Sequence, residues 1–167
     1  ILGRTGNTII TFNGNHYDMP VLKLALSGGT CAEMKSLSDK IIVDQIKTWN
    51  LDRPKCDHVD LKEVAPSMAS LKIYGGRMAA QKLKDLPIDP SHLVTASQRE
   101  ELKTYCENDL RLTELLYKSL IPQLDLRVKL TNEYNVDMRS KSDAQIAEAI
   151  IRKYLKTKKV IANKRES

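Results

Sequence analysis

Cysteine is scarce in this sequence. Cys31, Cys56 and Cys106 are odd in number, widely spaced and without a CxxC pair. Neither a disulfide frame nor a zinc site is indicated, and the three read as reduced thiols of a cytosolic protein. No apolar run approaches the length of a membrane span, which argues against a membrane partner. The N-terminus also lacks the charged, apolar and small-residue regions of a secretion signal. His16, His58 and His92 have no spacing that suggests a ligand set and read as surface residues. Internal repeats, low-complexity stretches and a second globular domain are absent. Strands are also few, since only two segments carry a strand pattern. Two strands cannot form a sheet with buried faces and covered edges, and the chain opens on Ile1 rather than Met. Further strands are therefore expected upstream of these residues.

What is present suits one globular domain. The 167 residues are 41% apolar and 29% charged, enough for a buried core and too apolar for a disordered chain. The charge is unevenly spread. Residues 1–150 hold 20 basic and 20 acidic residues, so the net charge of +6 comes from the end of the chain. There Arg152, Lys153, Lys156, Lys158, Lys159, Lys164 and Arg165 face one acid, Glu166. Such a tail suits either contact with a nucleic-acid backbone or a solvated helix end and linker.

Residues Thr8 to Phe12 are short and β-branched, as in a buried strand. Asp18-Met19-Pro20 signals a helix start, and Gly28-Gly29 its end. Thr30 with Glu33 forms a capping box for a helix toward Trp49. His58 to Val64 reads as a second strand, closed by Pro66, and a short helix is expected from Ser70 to Tyr74 before a break at Gly75-Gly76. Thr95 with Gln98 caps a long helix to about Leu120. Pro122 kinks or breaks that helix before it continues toward Tyr134. Ser142 with Gln145 caps a last helix with Ile146, Ala149, Ile150 and Tyr154 on one side. The chain divides into residues 1–141 and a C-terminal amphipathic helix with basic tail, 142–167. Strands alternating with helices imply an α/β layer fold.

The long helix carries the most informative anomaly. Its apolar stripe runs Leu102, Tyr105/Cys106, Leu112/Thr113, Leu116 and Leu120, and Asp109 falls in the gap. A core-facing carboxylate needs a cation, a basic partner or several donors. Tyr105 lies one turn earlier on the same face. The plain alternative is an Asp rotated to the helix flank. Asp18, at a strand-to-helix junction, is the second candidate, and its plain alternative is a helix N-cap. Asn13-Gly14 has an alternative as a hairpin turn.

The run Thr11-Phe12-Asn13-Gly14-Asn15-His16-Tyr17-Asp18-Met19-Pro20-Val21-Leu22 resembles the second motif of proofreading exonuclease domains of DNA polymerases, the DEDDy-type 3′–5′ exonucleases. Tyr105-Cys106-Glu107-Asn108-Asp109, followed by Thr113, resembles their third motif. Asp60-Leu61 sits where that family has a strand ending in an Asp-Leu or Asp-Thr pair, structural rather than catalytic, and Ser70 to Leu86 resembles the phage versions. The resemblance covers roughly Thr8 to Tyr134. One departure is clear: the family's first motif, Asp-x-Glu on the first strand, occurs nowhere in the sequence.

This resemblance implies a ribonuclease H-like fold whose N-terminal strands are missing here. The implied activity is metal-dependent removal of nucleotides from single-stranded DNA 3′ ends, within a bacterial or phage-infected cytoplasm. Two divalent cations, Mg²⁺ or Mn²⁺, would be shared by four carboxylates. Asp109 would bind the ion that activates water, Tyr105 would orient that water, and Asp18 would support the second ion. Asn13 would hold the terminal nucleotide or shape the strand end. Arg77 and Lys72 flank the Gly75-Gly76 pair and are candidates to contact phosphates, the plain alternative being solvated loop charges. A polymerase domain in the same polypeptide, or a replication partner, is the expected company. Two alternatives stand beside this: a non-catalytic nucleic-acid or replication-partner module on the same fold, and a ribonuclease D-like enzyme.

Overall fold

Ile9–Thr11 (β1) and His58–Asp60 (β2) pair in parallel, with Ile10 opposite Val59 and Thr11 opposite Asp60. A parallel pair needs a long crossover, and this one contains the helices α1 (Asp18–Leu26) and α2 (Cys31–Ile42). Asn13-Gly14 therefore opens onto a helix and not a hairpin. The computed structural model describes residues 6–78, 80, 85–90 and 92–157. Among these the protein is mixed α/β and mostly helical, completed by α3 (Leu71–Arg77), α4 (Ala96–Ser119), α5 (Ile121–Tyr134) and α6 (Asp143–Thr157). No helix among the described residues is long and apolar enough to cross a membrane.

Local chemistry explains the helix starts. Both arms of the capping box form at Thr30/Glu33 and at Thr95/Gln98. At α6 the Ser142 N–H donates to Gln145 Oε1 (3.0 Å) and the Gln145 N–H to Ser142 Oγ (3.4 Å). Leu120 ends α4 and begins α5, with Pro122 in the first turn, where a missing N–H is harmless.

Three boundaries differ from the sequence pattern. Helix α2 stops at Ile42, well short of Trp49, where Gln45 takes a left-handed conformation (φ 50°) that a side chain rarely adopts. Strand β2 stops at Asp60, because Val64 and Ala65 turn back to donate to the Leu61 carbonyl (3.1 and 2.9 Å). Helix α3 runs through Gly75-Gly76 to Arg77; Tyr74 and Gly75 are buried, and packing overrides the low helix propensity of glycine.

The core joins β2 and the turn after it to the far half of α4. Val59, Leu61, Val64 and Ala65 meet Tyr74, Leu116, Leu120 and Leu124, with Ile10 and Phe12 from the β1 side. Phe12 and Tyr74 meet edge to face at 5.9 Å. The loop after α5 closes over β2: the Asp60 N–H donates to Ser140 Oγ (2.9 Å), and Arg139 pairs with Asp57 (2.7 Å) and Asp137 (2.8 Å). Both acids hold the Arg139 guanidinium firmly protonated. At the start of α6, the buried Arg127 donates to the Lys141 carbonyl (3.0 Å), the Gln123 carbonyl (3.3 Å) and Asp143 Oδ1 (2.7 Å).

Candidate active-site cleft

The chain leaving β1 is fixed by one buried side chain. Asp60 is 1% exposed. Its Oδ1 accepts from the Asn13 N–H (2.8 Å) and the Lys62 N–H (3.1 Å), and its Oδ2 from the Asn15 N–H (2.8 Å). Three donors satisfy a carboxylate that burial would otherwise penalise. Asn13 takes a left-handed conformation (φ 66°), tolerated by Asn better than by most residues. Gly14 is buried, and a Cβ there would lie 2.1 Å from Thr11 Oγ1, so only glycine fits. The Met19 N–H then donates to the Gly14 carbonyl (2.9 Å), which starts α1 against the strand end.

A cleft of about 980 Å³ opens at this point, and four sequence candidates line it together. Asn13 and Asp18 come from the β1–α1 junction, and Tyr105 and Asp109 from α4. These segments are distant in sequence, and the fold gathers them. Asp18 is the first helical residue; Tyr17 occupies the cap, so the Asp18 carboxyl is not a capping group. That side chain has an open face toward solvent, yet the protein behind it raises its pKa above the usual carboxylate range. Burial is the larger cause; the Asp60 charge adds to it, while a hydrogen bond from its own N–H and nearby His58 oppose it.

On α4 the apolar stripe is buried only in its second half, at Leu112, Leu116 and Leu120. The first half forms a wall of the cleft. There Tyr105 and Asp109 are half-buried and Cys106 is exposed. The Tyr105 hydroxyl is pushed up to about 12, by burial first and then by hydrogen bonding to Asp109. It is therefore a neutral donor at physiological pH and unsuited to act as a base.

The other candidates lie elsewhere. Lys72 pairs with Asp85 (2.6 Å), and Arg77 donates to Ser67 Oγ (3.0 Å) and stacks over the Tyr74 ring at 5.9 Å. Neither belongs to the described lining of the cleft. His58 is not a surface residue as its spacing suggested: it is half-buried on β2, with Nε2 2.8 Å from Thr11 Oγ1, and burial lowers its pKa. Lys158, Lys159, Lys164 and Arg165 of the basic tail lie outside the described residues.

One residue was missed in the sequence. Lys62 lines the cleft, and its Nζ donates to Asn13 Oδ1 (2.9 Å). No local pattern singles it out, because β2 ends at Asp60 and Lys62 lies in the turn that follows.

Asp18 and Asp109 are hard oxygen donors of the kind Mg²⁺ and Mn²⁺ prefer. Their number falls short of a two-ion site, however. Among the described residues no group of three or more His, Cys, Asp or Glu side chains is gathered to hold a metal. Comparison with protein-family models, characterised proteins and solved structures returned no match to this chain.

Proposed function

We propose that this chain is part of a 3′–5′ exonuclease domain acting on single-stranded DNA ends. The observation that supports this reading is the convergence of Asn13, Asp18, Tyr105 and Asp109 on one cleft from segments far apart in sequence. The parallel β1–β2 pair and its helices are, in this reading, part of a ribonuclease H-like sheet. Asp18 and Asp109 would contribute two carboxylates to the ion site, and the remaining ligands would have to come from residues other than those described. A bound divalent ion supplies a polarised water and offsets charge on the leaving 3′ oxygen. Tyr105 stays protonated, donates to Asp109 and can fix the orientation of a water at the cleft mouth. Asp60 holds the strand end rigid, which keeps Asn13 and Asp18 in register with α4.

The test is time-resolved trimming of a 5′-labelled single-stranded oligonucleotide with Mg²⁺ or Mn²⁺, run beside the Asp109→Asn protein. With two carboxylates of four, trimming by this chain alone should be slow and should vanish in the variant. Rapid trimming that persists in Asp109→Asn would overturn the assignment. A second reading, a non-catalytic nucleic-acid module, is favoured by the lack of a three-ligand group among the described residues. It expects oligonucleotide binding with no metal-dependent trimming at all. Running an RNA oligonucleotide in parallel separates a ribonuclease D-like activity from the DNA reading.

A further inference from the structure

We infer that Lys62 is the phosphate-contacting cation of the cleft, held ready by Asn13. Three independent observations carry this. First, Lys62 is the only basic side chain among the described residues lining the cleft, which the carboxylates of Asp18 and Asp109 also line. A phosphate entering beside two carboxylates meets repulsion that one well-aimed cation can offset. Second, no ion pair of Lys62 occurs among the described residues; its ammonium is held by the neutral amide oxygen of Asn13 at 2.9 Å. An acidic partner would neutralise the charge, whereas an amide orients it and leaves it available. An ammonium has three donors, so two remain for an incoming oxygen. Third, the tether is itself rigid. Asn13 is left-handed at φ 66°, and its N–H is tied to the buried Asp60, which also accepts from the Lys62 N–H. One carboxylate thus fixes both ends of the Asn13–Lys62 pair. Less of the side-chain freedom of a lysine is left to lose on binding.

Asn13 is then a positioning residue, and Lys62 the residue that touches substrate. The assignment rests on the nuclease reading for its substrate class, a nucleotide phosphate, but it makes no use of cleavage. It can therefore be tested with metal removed. The full chain, isotope-labelled and in EDTA at low salt, is titrated with thymidine monophosphate, inorganic phosphate and uncharged thymidine. Thymidine monophosphate should shift the Lys62 side-chain resonance and the Asn13 amide, and thymidine should leave both in place. Inorganic phosphate should shift the same resonances more weakly, since it brings the anion without the nucleoside. Lys62→Gln should weaken thymidine monophosphate binding about tenfold, the effect of a charge-assisted hydrogen bond, and Lys62→Arg should restore most of it. Equal affinity in Lys62→Gln, or shifts in the wild type confined to other residues, would overturn the proposal. The side-chain resonance needs no variant, so the test stands even if Lys62→Gln folds poorly. A chain that trims DNA yet keeps full nucleotide affinity in Lys62→Gln would sink this inference alone. A chain that never trims but shows the Lys62-dependent shifts would sink the nuclease reading alone.

Discussion

Two regions of the molecule, joined through Ser140-Lys141, are each organised around one buried charge, and they differ in what surrounds it. At the β2 end, Asp60 collects three main-chain N–H groups, and next to it lie Asp18, Asp109 and Lys62 in an open cleft. At the α5–α6 end, Arg127 collects two carbonyl oxygens and Asp143. Cations further along α6 are matched by neighbours on the same or adjacent helix, as Lys153 is by the Tyr134 carbonyl and Arg152 by Glu148. A buried charge is therefore no mark of function here. Both examples are structural, because each is satisfied. What distinguishes the β2 region is a shared hollow lined by Asp18, Asp109 and Lys62, for which no ion pair occurs among the described residues.

The largest effect expected from breaking this symmetry is on stability. Asp60→Ala should cost about 3–5 kcal/mol in denaturant unfolding, since it orphans three partly buried main-chain donors. Arg127→Met should cost less, about 1–3 kcal/mol, because its ionic partner Asp143 is 93% exposed and readily hydrated. A larger loss at Arg127 than at Asp60 would reverse the ranking of the two anchors.

The next effect is on activity. Asp109→Asn should lower trimming at least ~100-fold while changing stability by less than ~0.5 kcal/mol. Tyr105→Phe should leave a measurable rate and an unchanged pH profile between pH 6 and 9, since its hydroxyl stays protonated up to about 12. If Asp109→Asn were instead mainly destabilising, Asp109 would belong with the anchors.

Asp18 gives a smaller effect with a definite sign. Its pKa is raised in the folded protein, so the folded state holds that proton more tightly than the unfolded chain does. The stability it lends is full below the ordinary carboxylate pKa and is lost as pH rises through the folded value. Asp18→Asn should remove this loss, so its stability relative to wild type should improve from acid toward neutral pH. A stability difference, variant minus wild type, that falls or stays flat over that range would show that the carboxyl is not crowded.

The smallest effect concerns the tail. Deleting residues after Ile151 should flatten the salt dependence of single-strand binding by about 0.7 in log–log slope per phosphate contact removed. An unchanged slope would make the segment a connector.

How much of this was legible in the sequence followed the range of the interactions. The capping boxes at Thr30, Thr95 and Ser142 are written within four residues, and all three form. The pairing of Tyr105 with Asp109 follows from one helical turn. The end of β2 differs because Leu61 and Val64 extend the apolar pattern of the strand past Asp60, while the turn there depends on the Asp60 side chain folding back onto the Lys62 N–H. The tether from Lys62 to Asn13 spans 49 positions, and no local pattern reports it. Lys72 and Arg77 drew notice as cations beside glycines, but their partners Asp85 and Ser67 lie ten or more residues away.

Gly14 has a consequence for genetics. Because a single added carbon would collide with Thr11, every missense change at that codon should abolish the cleft. A screen scored only on lost activity would rank Gly14 beside Asp109 and would credit a spacer with the importance of a reactive group. Soluble yield separates them: alleles at codon 14 should be depleted from the folded pool, whereas Asp109→Asn should persist there at full abundance.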